Sequence, residues 1–440
     1  MKKTLSTFGL LALVGCAQEQ PAAAPPPPPP PPPAVAPAPI MTTPAAAPVA
    51  EAPKAPPATP AERAKGFADC WAAFNAKDWA KFAPCYSEGA TSEEIDSGMP
   101  PWVGRNDIVE KGSKSFAAQA PDQTGELELV LVNGNNLAAV AFLKGTNTGP
   151  ILTPGGELPA TKKKFGFLMG HAAELTDDGR SVAHDRLYVD GNTFMGQLGI
   201  SKGPHRKVLE KGSAEKPVVL ATGSDTEKVN LGEYAKTNEA FNKHDIPALL
   251  GMMADDVVFA EMGSPVDQVG KKAVERSYKQ LFKEFSDVKL ELTRTWAAGD
   301  YVVGEGALVG TNDGAMPEMG VKKATGKHVS ARFLEIDKFA NGKLKSMWVF
   351  DNGMAFAAQL GLLPAPGAKP EGGAKEGAKP GAKPEAGKPE AGKPEAGKPA
   401  AAAPAAAKPA VMAPAAPKPA LAAPAAAKPA APAAAPAAPK

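Results

Sequence analysis

Between residues 60 and 364 the chain passes from helix-spaced to strand-spaced apolar positions, and it does so twice. In the second pass Leu231, Tyr234, Ala235, Asn238 and Phe241-Asn242 recur at helical spacing. Asp245 then offers an N-cap for a short helix running to Met253. The pattern predicts a strand over 257–261, a helix over 271–284, and long alternating strands over 288–296, 301–311 and 328–337. Asn341-Gly342, residues that accept the positive φ of a tight hairpin, leads into a last strand over 343–350. The first pass carries Asp178-Gly179 at the corresponding turn. Helices followed by a meander of strands predict an α+β fold: a curved, mainly antiparallel sheet closed into a cone by its N-terminal helices.

The two passes share words as well as order. Phe74-Asn75-Ala76-Lys77-Asp78 returns as Phe241-Asn242-Lys243-His244-Asp245, and Gly145-Thr146-Asn147-Thr148-Gly149 as Gly310-Thr311-Asn312-Asp313-Gly314. Gln197-Leu198-Gly199 returns as Gln359-Leu360-Gly361, so the offset drifts only from 167 to 162 residues. Ordered matches at a nearly constant offset indicate an internal duplication. The expected domains are 60–201 and 229–364, joined by a linker over 202–228 where Gly, Pro, Lys and Ser cluster.

Composition changes the picture only at the ends. Lys2 and Lys3 precede a short apolar stretch that closes in Leu13-Val14-Gly15-Cys16. The stretch is too short for a membrane-spanning helix and reads as an export signal over 1–16. Its ending resembles the bacterial lipobox, which implies a lipid-modified Cys16 and a mature chain held on a membrane of the cell envelope, at the outer membrane or the periplasmic face. Residues 17–59 are nearly all Pro and Ala, with unbroken proline from Pro25 to Pro33, the composition of an extended, disordered spacer. Residues 365–440 carry eleven Lys against five Glu and are also expected to be disordered, either a solvated tether or a contact to cell wall or another anionic surface. The net charge of +2 therefore comes from the tail, and no segment expected to fold is basic enough to make nucleic acid a partner. With Cys16 assigned to lipid, Cys70 and Cys85 remain, either a disulfide across a helical hairpin or two small buried side chains.

An opening helix ending in Phe-Asn-x-x-Asp, a Gly-Thr-x-x-Gly turn after the central strand, and Gln-Leu-Gly after the last strand together resemble the SnoaL-like branch of the nuclear transport factor two-like superfamily. The stretch Phe350-Asp351-Asn352 through Gln359-Leu360-Gly361-Leu362-Leu363-Pro364 carries the resemblance most strongly. It spans both repeats and omits both arms. It implies a conical fold around an apolar pocket, in a group that includes polyketide ester cyclases, ketosteroid isomerases and proteins that only bind ligands or partners. It further implies that an Asp near the end of the last strand could handle a proton; the matching positions are Asp190 and Asp351, which differ by one residue in register.

On the first copy's last strand, His184, Arg186, Tyr188 and Asp190 alternate and share a face. They form either a polar pocket set, which His171 could join, or a solvated face opposite Ala183, Leu187 and Val189. In the second copy Lys345, Met347, Val349 and Asp351 alternate, with Met347 and Val349 as candidate pocket walls beside Asp351, while Trp348 and Phe350 could cover the sheet against a partner. Glu261, Arg332 and Glu335 are further polar residues on predicted strands. The five His residues lack metal-binding spacing, and no phosphate-binding loop or nucleophile elbow occurs, so no metal or cofactor is expected. Three functions remain open: binding of a small apolar ligand, a cyclase- or isomerase-type enzyme using Asp351, Asp190 or His184, and a non-catalytic module assembled through sheet faces, including an internal pseudo-dimer of the two copies.

Overall fold

The computed structural model describes residues 55–363. The segment expected to be an export signal, Cys16, nearly all of the Pro/Ala arm and the Lys-rich tail lie outside the described residues.

Helix α1 (Pro60–Asn75) starts at a capping box: the Thr59 hydroxyl accepts from the Glu62 amide while Glu62 reaches back to the Thr59 amide, and Pro60 opens the helix. A short α2 (Trp79–Phe82) follows, capped by Asp78, and then β1 (Tyr86–Glu94) and β2 (Trp102–Val103). Next come α3 (Arg105–Asp107), a π turn over Ile108–Ser113 and α4 (Lys114–Gln119), which together make one broken helix. The sheet is built from β3 (Thr124–Asn133), β4 (Asn136–Thr146), β7 (Lys164–Leu175) and β8 (Val182–Tyr188), with a small hairpin of β5 (Ile151–Thr153) and β6 (Gly156–Leu158) beside it. Helix α5 (Gly191–Gln197) ends the domain.

The second domain repeats the plan. It runs α6 (Asp225–Asn242), α7 (Ile246–Gly251), β10 (Met253–Glu261), β11 (Gln268–Val269), α8 (Lys271–Glu284), β12 (Lys289–Ala298), β13 (Tyr301–Thr311), β14 (His328–Ala340), β15 (Lys343–Phe350) and α9 (Gly353–Gln359). Asp245 caps α7, and Asn341 and Gly342 both take positive φ at the β14–β15 turn. The sheet orders correspond strand for strand, β2-β1-β8-β7-β4-β3 against β11-β10-β15-β14-β13-β12. All neighbours are antiparallel except β1–β8 and β10–β15. The segment expected to be a linker corrects the sequence reading: β9 (Val218–Leu220) adds a parallel edge strand to β3 of the first sheet. Three apolar residues are too few for periodicity to distinguish from a loop, yet enough to pair with an open strand edge.

The repeated words prove to be backbone clamps. Asn75 holds Gly125 through its amide and carbonyl at 2.8 and 2.7 Å, and Asn242 holds Leu290 in the same way at 2.7 and 3.0 Å. Asn147 and Asn312 tie the turn after the central strand to the end of the preceding helix, bonding the carbonyls of Gln119 and Glu284. Gln197 pairs with both backbone groups of Gly166, and Gln359 with those of Ser330. Asn75, Asn242, Gln197 and Gln359 each satisfy one backbone donor and one backbone acceptor on a strand.

One face of each sheet curls round a cavity, and the opposite faces of the two sheets pack together. That shared core holds Ile95, Leu129, Leu131, Val140, Ala172 and Tyr188 from the first domain, with Trp296, Tyr301, Val303, Leu334, Ile336 and Phe350 from the second. Trp348 packs at its margin. Gly170 is required at the contact, because a Cβ there would come within 2.8 Å of Leu334 and 3.0 Å of Phe350.

Candidate functional site

Alternation on β8 sets one group of side chains on the cavity and the other on the domain contact. Arg186 belongs to the contact. Its guanidinium bonds Glu305 twice, at 2.7 and 3.0 Å, and Glu174 at 2.8 Å, while Tyr188 donates to Glu305 at 2.9 Å. Arg294 closes the network on Glu174 at 2.6 Å. Arg186 and Tyr188 thus tie the two domains together rather than line a pocket, a correction to their reading as ligand contacts. The solvated alternative fails for them too, since the second sheet covers this face. His184 is exposed and bonds Thr91 at 2.8 Å, so it too stands outside the cavity. Arg332, from the second domain, crosses to Asp96 and Glu93 at 2.7 Å each.

Asp190 is likewise corrected. Its carboxylate caps α5, accepting from Thr193 at 2.8 Å and Asn192 at 3.3 Å, and it also accepts from the Gly353 amide at the start of α9. The equivalent residue is Asn352, which caps α9 through Ala355. The one-residue register difference between the two Asp candidates therefore reflects two different roles. Asp351 corresponds to Val189 and faces the cavity, as do Met347 and Val349. Its Oδ1 is buried with no partner among the described residues, and burial, reinforced by the nearby Glu261 and Asp190, pushes its carboxyl well above the usual range.

The cavity measures about 1870 Å³ and takes its walls from both cones. In the first cone, Phe67, Trp71, Phe74, Phe82, Trp102 and Phe167 are among its lining residues, and the Cys70–Cys85 disulfide borders it. His171 stands in this apolar setting, 6 % exposed, edge-on to Phe67 and Trp71 at ring separations of 5.7 and 5.4 Å. Its Nδ1 lies 3.2 Å from Oδ1 of Asp185, which is 2 % exposed, and Oδ2 of Asp185 accepts from the Tyr86 hydroxyl at 3.0 Å. A carboxylate at Nδ1 selects the tautomer that carries the proton there, leaving the lone pair on Nε2. Nε2 is buried and has no partner among the described residues.

Strand register places a second titratable group in the same row. Glu94 on β1 pairs with Leu187 on β8, which pairs with His171 on β7. All three face the cavity, and two strand spacings put Glu94 and His171 roughly 10 Å apart along the row. Burial pushes the Glu94 carboxyl up to about 7. The second domain repeats the row as Glu261, Val349 and Glu335, so an acid occupies the place of His171. Asp185 and Tyr86, the partners of His171, correspond to Met347 and Met253. Asp185 had one signal in the sequence, a lone carboxylate interrupting the apolar alternation Ala183, Leu187, Val189. Among the described residues no group of three His, Cys, Asp or Glu side chains is placed to hold a metal.

Two α+β cones, each with a polar row set into an apolar chamber, define a class of small-molecule-binding fold. A family model described as SnoaL-like domain matches residues 67–184, and one described as SnoaL-like polyketide cyclase matches 234–360. The chain is therefore a tandem of two SnoaL-like domains. Among solved structures it is similar to a putative SnoaL-like polyketide cyclase from Jannaschia sp. CCS1, at 17% identity and TM-score 0.30, covering 32% of this chain and 97% of that one. It is also similar to a putative polyketide cyclase from Xanthomonas campestris pv. campestris, at 19% identity and TM-score 0.29, covering 31% and 99%. A search of curated proteins found no match.

Proposed function

We propose that this chain is a lipid-anchored envelope protein whose cones hold small, largely apolar molecules, and that the first cone moves a proton on its ligand. The observation that carries the chemistry is the free Nε2 of His171, with Asp185 at the opposite nitrogen. Anchoring rests on the Leu13-Val14-Gly15-Cys16 ending, and the long Pro/Ala arm would then carry the cones clear of the lipid surface.

The roles follow from position. Aromatic walls would seat a flat apolar body, burying it from water. His171 Nε2 would accept a proton from a carbon activated by an adjacent carbonyl, and Asp185 would stabilise the imidazolium so formed. Tyr86 holds Asp185 in place through its hydroxyl. Glu94, poised near 7 across the row, would give a proton to the oxygen on which negative charge develops. This is isomerase- or cyclase-type chemistry with His171 as base in place of Asp190 or His184.

The test is deuterium exchange at the α-carbon of 2-tetralone, followed by NMR with the full chain. The parent protein should accelerate exchange, and Asp185→Asn and His171→Gln should each lower that acceleration by roughly 10²-fold or more. Exchange that survives both substitutions but falls in Asp351→Asn would move the chemistry to the second cone and overturn this assignment. Binding of the ketone without accelerated exchange would leave the ligand-binding reading and remove the enzymatic one.

A further inference from the structure

The second cone carries two buried acids, Glu335 and Asp337, where the first carries His171 and Ala173; Arg206 faces Glu261 at the far end of the row, and Arg276, Lys279 and Lys283 of α8 stand at the cavity wall. Glu335 faces the cavity at 6 % exposure, and Asp337, two residues along the same strand and at 0 %, lies behind it. Neither carboxyl forms an ion pair among the described residues, and both oxygens of Asp337 lack a donor. The Tyr234 hydroxyl, close to both acids, is also buried with no hydrogen-bond partner among the described residues.

The two acids are in contact and cannot both ionise in such surroundings. Burial and the neighbouring Glu335 push the Asp337 carboxyl well above the usual carboxylate range, so the charge of the pair falls on Glu335. Glu335, pushed up to about 7 by burial, is the member of the pair that faces the chamber and that an incoming cation would hold ionised. Phe241, Phe259 and Tyr278 line the same part of the cavity. A carboxylate at the end of an aromatic chamber suits a cation carried on an apolar body, since the ammonium gains both the ion pair and the ring faces.

We propose that the second cone is a binding site for organic ammonium ions, with Glu335 as the counter-charge and Phe241, Phe259 and Tyr278 as walls. The first cone cannot share this preference: Glu335 corresponds to His171 and Asp337 to Ala173. Duplication has thus produced two chambers of different charge in one chain. The site does not depend on proton transfer at His171 and stands or falls separately from it.

Calorimetric titration of the full chain with phenethylammonium and with the neutral 2-phenylethanol tests the assignment. The parent protein should bind the ammonium at least tenfold more tightly than the alcohol, a comparison that needs no variant. Glu335→Gln keeps the shape and removes the charge, and should cut the preference below twofold. Equal affinity for the two compounds, failure of the ammonium to bind at millimolar concentration, or a preference that persists in Glu335→Gln would each overturn the proposal.

Discussion

Glu94 and Glu335 each titrate near 7 because their surroundings disfavour charge, and this has a consequence for stability. The ordinary value is 4.5, so the folded chain binds these protons more tightly than the unfolded one. Their contribution is therefore fully present below about pH 4.5 and is lost as pH rises through about 7. In Glu335→Gln that share of the slope disappears, and the variant should gain about 3 kcal/mol on the parent between pH 4.5 and 7.5 in urea denaturation. A parallel pair of stability profiles would contradict the buried-acid assignment. At the same scale the sequence was least legible. Asp351, Met347 and Val349 could be placed on the cavity because their strand alternates cleanly with Trp348 and Phe350. On β8 the polar set could be either a pocket set or a solvated face, whereas the second sheet covers Arg186 and Tyr188 and Asp185 stands on the other, apolar side. Alternation alone cannot say which face meets a partner domain.

Elements were read more reliably, because their signals are local. Asp245, Asn341-Gly342 and the long alternating strands of the second copy act through caps, positive φ and period-two burial, all written in neighbouring residues. The π turn over Ile108–Ser113 and the short β9 were not legible, since each departs from regular period over only a few residues. Asp190 carries its weight at this scale. Its carboxylate satisfies amides at the starts of both α5 and α9, so Asp190→Ala should cost about 1–2 kcal/mol in a denaturant melt. Exchange per folded molecule should be unaltered in that variant. The Cys70–Cys85 bridge ties α1 to the turn between α2 and β1, with Cα atoms 5.9 Å apart. Reducing it should lower stability by about 3 kcal/mol, the scale expected of a loop this short, measured as a shift in thermal midpoint between oxidised and reduced chain.

At the scale of the whole chain the duplication is what the sequence declared most openly, through three clamps that recur because each copy must close its cone in the same way. The contact between the copies was not written in any motif. It depends on Arg186 and Arg294 meeting Glu174 and Glu305 from opposite sheets, over a core of apolar side chains. Removing Arg186 leaves Glu305 buried beside one remaining arginine, so Arg186→Met should destabilise the chain by about 3 kcal/mol and lower the cooperativity of its unfolding transition. An unchanged single transition in calorimetry would contradict a contact of that importance. Both cones contribute walls to the cavity, and both should receive a ligand. Native mass spectrometry of the full chain with rising 2-tetralone tests it most directly. Two receptive cones give retained adducts of one and then two molecules per chain, whereas a bare chain at every concentration means that neither cone takes the ketone.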